Sequence, residues 1–320
     1  MKKSYSVVFQ MDEFEKINKK TDSTYLLAKE SLIRKFSTFH LLPENVHIFE
    51  NEIILDCSVL TLNKKNEVSF KERKITKKLS DFDFFFIRQD PPFNMNYITN
   101  TYLLELIKKR ENIQKPFFVN SPTGIRNFTE KIFPLYFKEI IPKTFITKKE
   151  KLIKSIVNKY GKVVVKPLYD KGGTGVDVIT SGDLSGTKTL KKVTNNFKEQ
   201  IIIQKFLKKV QNGDKRVILF DGVPVGCINR VPQKGSFKAN LHLGGTAEKT
   251  ILTKKEKIIC LKIKKYILKN EFFFVGLDII DEKLTEINVT SPTGLVQINK
   301  LYNTKIEEKF WDLLIKKINY

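Results

Sequence analysis

Asp278, Glu286 and Asn288 stand on two short apolar runs that flank the polar turn Asp281-Glu282-Lys283. Successive side chains of a strand point to opposite faces, so Glu286 and Asn288 share one face while Ile287 and Val289 take the other. Asp278 lies on the partner run across the turn. Two carboxylates and an amide, with no His or Cys close by, make an all-oxygen donor set. Such a set suits a hard cation such as Mg2+, which keeps open positions for phosphate oxygens. An ordinary hairpin with solvated acids would carry the same residues, and this segment alone does not separate the two readings.

Arginine use points to the ligand. Only seven of the 58 basic residues are arginines, and four of these, Arg88, Arg126, Arg216 and Arg230, fall in or beside segments that attract attention for other reasons. A planar guanidinium grips a carboxylate or phosphate bidentately, which an ammonium cannot do. An anionic, carboxylate-rich ligand is therefore expected. The loop Asp170-Lys171-Gly172-Gly173-Thr174-Gly175 adds a second signal, because it lies between a strand at 162–167 and a returning strand at 176–179. Strand, glycine loop and strand form a flap; a P-loop would need its GK[ST] to open a helix. Gly172, Gly173 and Gly175 can take positive φ and bring backbone N–H groups close to phosphates, although a plain flexible turn has the same composition. Residues 231–246, rich in Gly, Gln, Ser and Asn, are too long for a simple connection and read as a lid with Gly244-Gly245 as its hinge.

These residues need elements to hold them. Strands are expected at 5–10, 46–50, 52–60, 68–72, 82–88 and 117–119, with helices near 23–35, behind an Asp22-Ser23 cap, and near 97–110. The turn Arg88-Gln89-Asp90-Pro91-Pro92-Phe93 follows the Phe-rich strand at its carboxyl end, where open α/β sheets collect ligands. Helices near 125–138 and 147–160 lead into the flap. A strand at 201–206 and a hairpin turning at Asp221-Gly222 precede the lid. The expected class is mixed α/β in three units: 1–122 as an N-terminal open α/β domain, 123–200 as a middle lid subdomain, and 201–320 as a C-terminal catalytic subdomain.

Composition bounds the rest. With 320 residues, 41% apolar and 29% charged, the chain can bury several cores. No apolar run approaches a membrane span. Met1-Lys2-Lys3-Ser4 leads directly into a strand rather than a secretory leader, and Cys57, Cys227 and Cys260 make neither a disulfide framework nor a cysteine metal site, so a reducing cytoplasm is expected. The net charge of +23 invites a nucleic-acid reading. Its lysines, however, alternate with apolar residues at helical spacing, as at Lys254, Lys255, Lys257, Lys262, Lys264, Lys265 and Lys269, which describes a solvated helix face.

Taken in order, Arg88-Gln89-Asp90-Pro91-Pro92-Phe93, Glu130-Lys131, Lys166-Pro167-Leu168, Gly213-Asp214-Lys215-Arg216-Val217, Gly276-Leu277-Asp278-Ile279-Ile280 and Glu286-Ile287-Asn288-Val289-Thr290-Ser291-Pro292-Thr293 resemble the bacterial-type glutathione synthetases of the ATP-grasp superfamily. The likeness runs from Met11-Asp12 to Gly294. It implies the ATP-grasp fold and ligation of γ-L-glutamyl-L-cysteine to glycine, with ATP converted to ADP and phosphate through an acyl phosphate. Carried over residue by residue, it makes Asp278, Glu286 and Asn288 ligands of two Mg2+ ions, with Mn2+ as an alternative. Lys131, Lys166, Gly172, Gly173, Thr174, Gly175, Gln204, Lys205, Phe206, Leu207 and Asp214 become the nucleotide set. Arg216 and Arg230 become catalytic and carboxylate-holding groups, joined on the substrate side by Arg88, Asp90, Asn240, Ser291, Pro292 and Thr293. A homo-oligomer, a tetramer by the resemblance, is also implied. The sequence departs from the pattern at Tyr169 and Asp170, at Lys238, and at Val296 and Gln297. His242 in the lid is one candidate general base, with solvent or a carboxylate as the alternative. The competing readings are an ATP-grasp ligase of other specificity, a basic nucleic-acid-binding protein, and an inactive scaffold on the same fold.

Overall fold

The computed structural model describes residues 4–90, 92–110, 115–169, 174–183 and 185–319. Three sheets organise the chain. The first contains β1 (Ser6–Gln10), β2 (Ser37–Leu41), β3 (Val46–Phe49), β4 (Glu52–Leu62), β5 (Val68–Lys78), β6 (Phe84–Ile87) and β7 (Phe117–Val119), with helices α1 (Ser23–Ile33) and α2 (Met95–Arg110). Its order is β3-β4-β2-β1-β6-β7, with β5 on β4. Strands β2, β1, β6 and β7 are parallel. Of these, β1, β6 and β7 read as mostly apolar runs because both faces are covered, whereas β2 mixes polar with apolar residues. Val7, Phe9, Phe84 and Phe86 face one core, and Val8, Phe85 and Ile87 face another. Asp22 caps α1 by accepting from Tyr25 N at 2.7 Å. From β1 the chain crosses to β2 on one side and later returns to β6 on the other, so the carboxyl ends of β1 and β6 border a switch point.

The expected continuous helix at 125–138 is not formed. The structure has α3 (Pro122–Asn127) and then a separate 3-10 turn, Phe133–Phe137. Pro134 has no N–H for a helical bond, and Phe128 packs on Phe133 with ring centroids 4.5 Å apart. Next come β8 (Thr144–Thr147), α4 (Glu150–Tyr160), β9 (Lys162–Pro167), β10 (Asp177–Thr180), α5 (Gly186–Val193) and β11 (Ile201–Lys205). They form an antiparallel sheet in the order β10-β9-β11-β8. Ile153, Val157 and Leu190 from its helices close a core with Val163, Val165, Ile201 and Ile203.

The last sheet, β14-β13-β12-β15-β16, is antiparallel. Its members are β12 (Asp214–Phe220), β13 (Val223–Val231), β14 (Thr246–Lys249), β15 (Phe274–Ile280) and β16 (Lys283–Asn288). Helix α6 (Lys254–Lys269) covers one face, and α7 (Leu295–Tyr302) and α8 (Ile306–Ile318) the other. Both hairpins turn through two consecutive positive φ angles, 49° and 74° at Asp221-Gly222 and 51° and 57° at Asp281-Glu282, which match the right-handed twist of the strands they join. Lys254, Lys255, Lys257, Lys262, Lys265 and Lys269 on α6 are exposed, as their spacing predicts. Among the described residues no helix is long and apolar enough to cross a membrane.

Candidate active site

A cleft opens between the middle and last sheets. Val164 and Lys166 of β9, Val176, and Gln204 to Leu207 at the end of β11 form one wall; Asp214, Asp278, Ile280, Thr285 and Glu286 form the other, with Phe237 to Asn240 above. It is open to solvent, and its empty space counted together with the solvent-filled mouth comes to about 750 Å3. Apolar side chains such as Val164, Phe206, Leu207 and Ile280 line it together with the charged Lys166, Asp214, Asp278 and Glu286. A flat aromatic group with a charged tail fits such a cleft.

Strand register builds the charged set. Arg216 lies opposite Asp278, and Asp278 opposite Glu286, so the three form a row across β12, β15 and β16. Asp214 lies opposite Arg230 on β13. Directly opposed side chains share one face, which brings opposite charges together. Arg216 Nε and Nη2 donate to the two Asp278 oxygens at 2.6 and 3.0 Å. The Arg230 Nη2 lies 3.0 Å from Asp278 Oδ1 and donates to Asp214 Oδ2 at 2.6 Å. Gly276 makes room for this row, since a Cβ there would sit 3.1 Å from Pro292 Cβ and 3.4 Å from Arg216 Cδ. Burial alone would raise the Asp278 carboxyl, but the two guanidinia outweigh it and hold it well below the usual carboxylate range. Burial pushes Asp214 up; Arg230 opposes this, while Asp278 and Glu286 reinforce it.

Glu286 is less committed. Lys166 Nζ lies 3.5 Å from its Oε1, across the cleft from β9. Asn288 donates its amide nitrogen to Gly276 O at 3.4 Å, which leaves the amide oxygen as the end for a cation. Beside them Glu130, whose carbonyl accepts from Ile287 N, has its carboxyl pushed up to about 7 by burial and then by the Glu286 charge. Lys131 Nζ lies 3.8 Å from Glu130 Oε1. Like charges held close around oxygen donors fit a divalent cation, which would relieve the repulsion. Among the described residues no three His, Cys, Asp or Glu side chains converge as a complete metal cage. A cation held here therefore takes its remaining ligands from amide, water or phosphate oxygens. Asp278 already serves two guanidinia, so only its remaining lone pairs are available to a metal.

At the switch point of the first sheet, Arg88 is 3% exposed. Its Nε donates to Thr24 Oγ1 at 2.9 Å and its Nη2 to Pro292 O at 2.8 Å, while Nη1 has no partner among the described residues. Burial lowers its pKa to about 10 against the opposing charges of Asp22 and Asp90. Asp90 N donates to Asp12 Oδ2 at 2.9 Å. Arg216 Nη1 also reaches Thr293 O, at 3.1 Å, so the 291–294 segment joins the two arginine sites.

The structure thus gathers Lys166, Gln204, Lys205, Phe206, Leu207, Asp214, Asn240, Asp278 and Glu286 along the cleft. Arg88 and Arg216 meet the Pro292-Thr293 backbone that follows Ser291, Arg216 and Arg230 hold the cleft acids Asp278 and Asp214, and Lys131 stands beside Glu130. Gln204 donates to Thr144 Oγ1 at 3.0 Å. Thr174 is exposed and Gly175 has φ 68°. Asp170, Gly172, Gly173, Pro91 and the side chain of His242 lie outside the described residues. Arg126 does not join the site: it pairs with Glu105 at 2.5 Å and stacks on Tyr102. Sequence reasoning missed Glu130 as an acid of the site, though it stood in the Glu130-Lys131 motif, and missed the apolar wall of Val164, Val176 and Ile280. It also missed Thr24 and Asp22, whose roles come from the α1 cap lying beside Arg88.

Two sheets closing on a cleft with apolar side chains and a floor of acids, lysines and arginines define an ATP-grasp ligase, an ATP-dependent enzyme that joins a carboxylate to an amine. Residues 5–126 match the prokaryotic glutathione synthetase N-terminal domain, and residues 130–303 the ATP-grasp domain of the same family. The chain belongs to the prokaryotic glutathione synthetase family. It is 38% identical to the glutathione synthetase of Brucella melitensis over 96% of this chain and 97% of that one. It is 39% identical to that of Agrobacterium fabrum over 99% and 98%. The solved ATP-grasp ligase PsnB, complexed with a minimal precursor, shares the fold with a TM-score of 0.63 at 14% identity over 98% of this chain and 99% of that one.

Proposed function

We propose that this chain ligates γ-L-glutamyl-L-cysteine to glycine, converting ATP to ADP and phosphate through an acyl phosphate. One observation carries the reading beyond the family: Arg88 Nη2 donates to Pro292 O at 2.8 Å, while Arg216 reaches Thr293 O at 3.1 Å. The carboxylate-gripping edge of the first sheet therefore abuts the acid strand of the last. A substrate carboxylate on the free Nη1 side of Arg88 would lie next to the phosphate end of the cleft. Adenine would lie near Phe206 and Leu207, and Lys131 and Lys166 would neutralise phosphate charge. Arg216 and Arg230 hold Asp278 ionised and present fixed positive charge where charge develops on the transferred phosphoryl group. Asp278, Glu286 and Asn288 would hold two Mg2+ ions, which supply Lewis-acid neutralisation of the triphosphate. The glycine amine loses its proton to solvent or a nearby carboxylate as the amide forms. Asn240 and the 231–246 loop would exclude water that otherwise hydrolyses the acyl phosphate.

We further assign units 1–122, 123–200 and 201–320, each centred on one sheet although the middle sheet takes its strand β11 (Ile201–Lys205) from beyond residue 200, a cytoplasmic location, and a homotetramer. Incubation with ATP, Mg2+, γ-glutamylcysteine and glycine should give glutathione and phosphate in equal amounts. ATP turnover that needs a different carboxylate or amine would reassign the specificity, and no turnover with any acceptor would overturn the reading.

A further inference from the structure

Tyr169 stands two residues beyond the end of β9 and three beyond Lys166, at the root of the glycine flap. Its ring is 52% exposed and takes no part in the core of the middle sheet. A large aromatic left half in water beside a cleft has no local packing reason. Its described ring neighbour lies on another unit: Phe93, with centroids 6.4 Å apart and planes 17° apart. Phe93 in turn rests on Tyr97 of α2 at 5.0 Å and packs against the core behind β6. It closes the same turn that carries Arg88 and Asp90. The stack thus spans from the phosphate side of the site to its carboxylate side.

We propose that Tyr169 and Phe93 form an aromatic clasp that closes the flap root onto the substrate turn during turnover, with Tyr169 as a positioning residue. This rests on the ligase reading above. An offset-stacked aromatic pair is a weak contact that forms and breaks readily. A pair of that strength biases closure severalfold yet opens in every cycle, as substrate entry requires. Phe93 is the fixed half, anchored by Tyr97, and Tyr169 the half that parts from it. What the closed clasp decides is the fate of the acyl phosphate. Attack by the amine forms the amide N–C bond, expels phosphate and passes the amine proton to solvent; attack by water on the same carbon expels the same phosphate but returns the carboxylate. Closure favours the first by keeping water out.

The test measures phosphate released per amide formed, together with KM for the γ-glutamyl dipeptide, in Tyr169→Ala, Tyr169→Phe, Phe93→Ala and the double alanine variant. Tyr169→Ala should raise the phosphate released in excess of amide, per amide formed, about fivefold, equivalent to ~1 kcal/mol of lost closure. Tyr169→Phe should restore coupling, since the ring is what stacks. The double variant should be no worse than the poorer single one, because each alanine removes the same contact. Thermal midpoints should stay close to wild type, as expected of a half-exposed ring. Wild-type coupling and KM in Tyr169→Ala, or effects that add in the double variant, would overturn the clasp. If the wild-type protein makes no glutathione, the ligase specificity falls instead, and the clasp is then scored on whether Tyr169→Ala changes carboxylate-dependent phosphate release.

Discussion

Glu286 is the residue on which the chemistry of the site converges. It completes the cross-strand row from Arg216 through Asp278, faces Lys166 Nζ at 3.5 Å, and raises the neighbouring Glu130 carboxyl. Its isostere, Glu286→Gln, keeps shape and packing but removes the charge that would hold a cation and orient Lys166. Turnover should fall by about two orders of magnitude, the scale seen when one preorganised charge-stabilising group is lost. The thermal midpoint should hold or rise, because removing one of several crowded carboxylates relieves repulsion. Turnover within a fewfold of wild type would remove Glu286 from the site. This residue was legible because strand alternation and an all-oxygen donor set are local signals. Asp278 was only half legible. The sequence shows a carboxylate, but its engagement by Arg216 and Arg230 depends on the pairing of β12 with β15, which no local pattern announces.

Among the elements, those marked by strong local chemistry appeared where the sequence placed them. The two hairpins carry Asp-Gly or acidic turns between apolar runs, and α1 begins at its Asp22 cap. Strands β2 and β8 went unseen because Ser37–Leu41 and Thr144–Thr147 are short and mix polar with apolar residues, and they exist through their neighbours in the sheet. The helix expected at 125–138 failed at Phe128 and Pro134, where aromatic packing and a missing N–H overrode propensity. Asn120 is the clearest junction that only the structure reveals. Its Oδ1 accepts from Phe273 N and Phe274 N at 2.8 and 2.9 Å, and its Nδ2 donates to Phe274 O and Val289 O at 2.7 and 2.6 Å. One side chain, 1% exposed, thereby ties the end of β7 to β15 and to the segment after β16. Asn120→Ala would leave these backbone groups unpaired in the interior, at a cost of roughly 2–4 kcal/mol. Urea unfolding should show the midpoint falling by the corresponding amount, whereas a loss below about 1 kcal/mol would mean that water replaces the amide.

On the scale of the whole molecule, the distribution of cores matters more than the net charge, which the structure spreads over helix faces such as that of α6. One core joins Tyr5, together with Phe9, Phe84 and Phe86 of the first sheet, to Phe220 and Phe274 of the last sheet and Phe310 and Trp311 of α8. Trp311 sits in it fully buried, its Nε1 donating to Leu27 O at 3.0 Å, and Arg34 reaches Asp312 across the same seam at 2.6 Å. The middle sheet keeps a core to itself. Two cores that share few side chains should unfold as two units, with the cleft between them as the weak line. Trp311 is the chain's single tryptophan, so its fluorescence reports the shared core alone. Phe310→Ala, which costs roughly 3–5 kcal/mol, should lower the Trp311 transition. Ile203→Ala, at roughly 2–5 kcal/mol, should instead bring forward an early loss of far-UV circular dichroism and leave Trp311 unmoved. Saturation with ATP and Mg2+ to a hundred times Kd adds about 2.7 kcal/mol to the state that binds, and should draw the early transition of Ile203→Ala back toward the Trp311 transition. If Ile203→Ala shifts Trp311 fluorescence as far as Phe310→Ala does without nucleotide, the three sheets melt as one unit and the middle sheet is no separate lid.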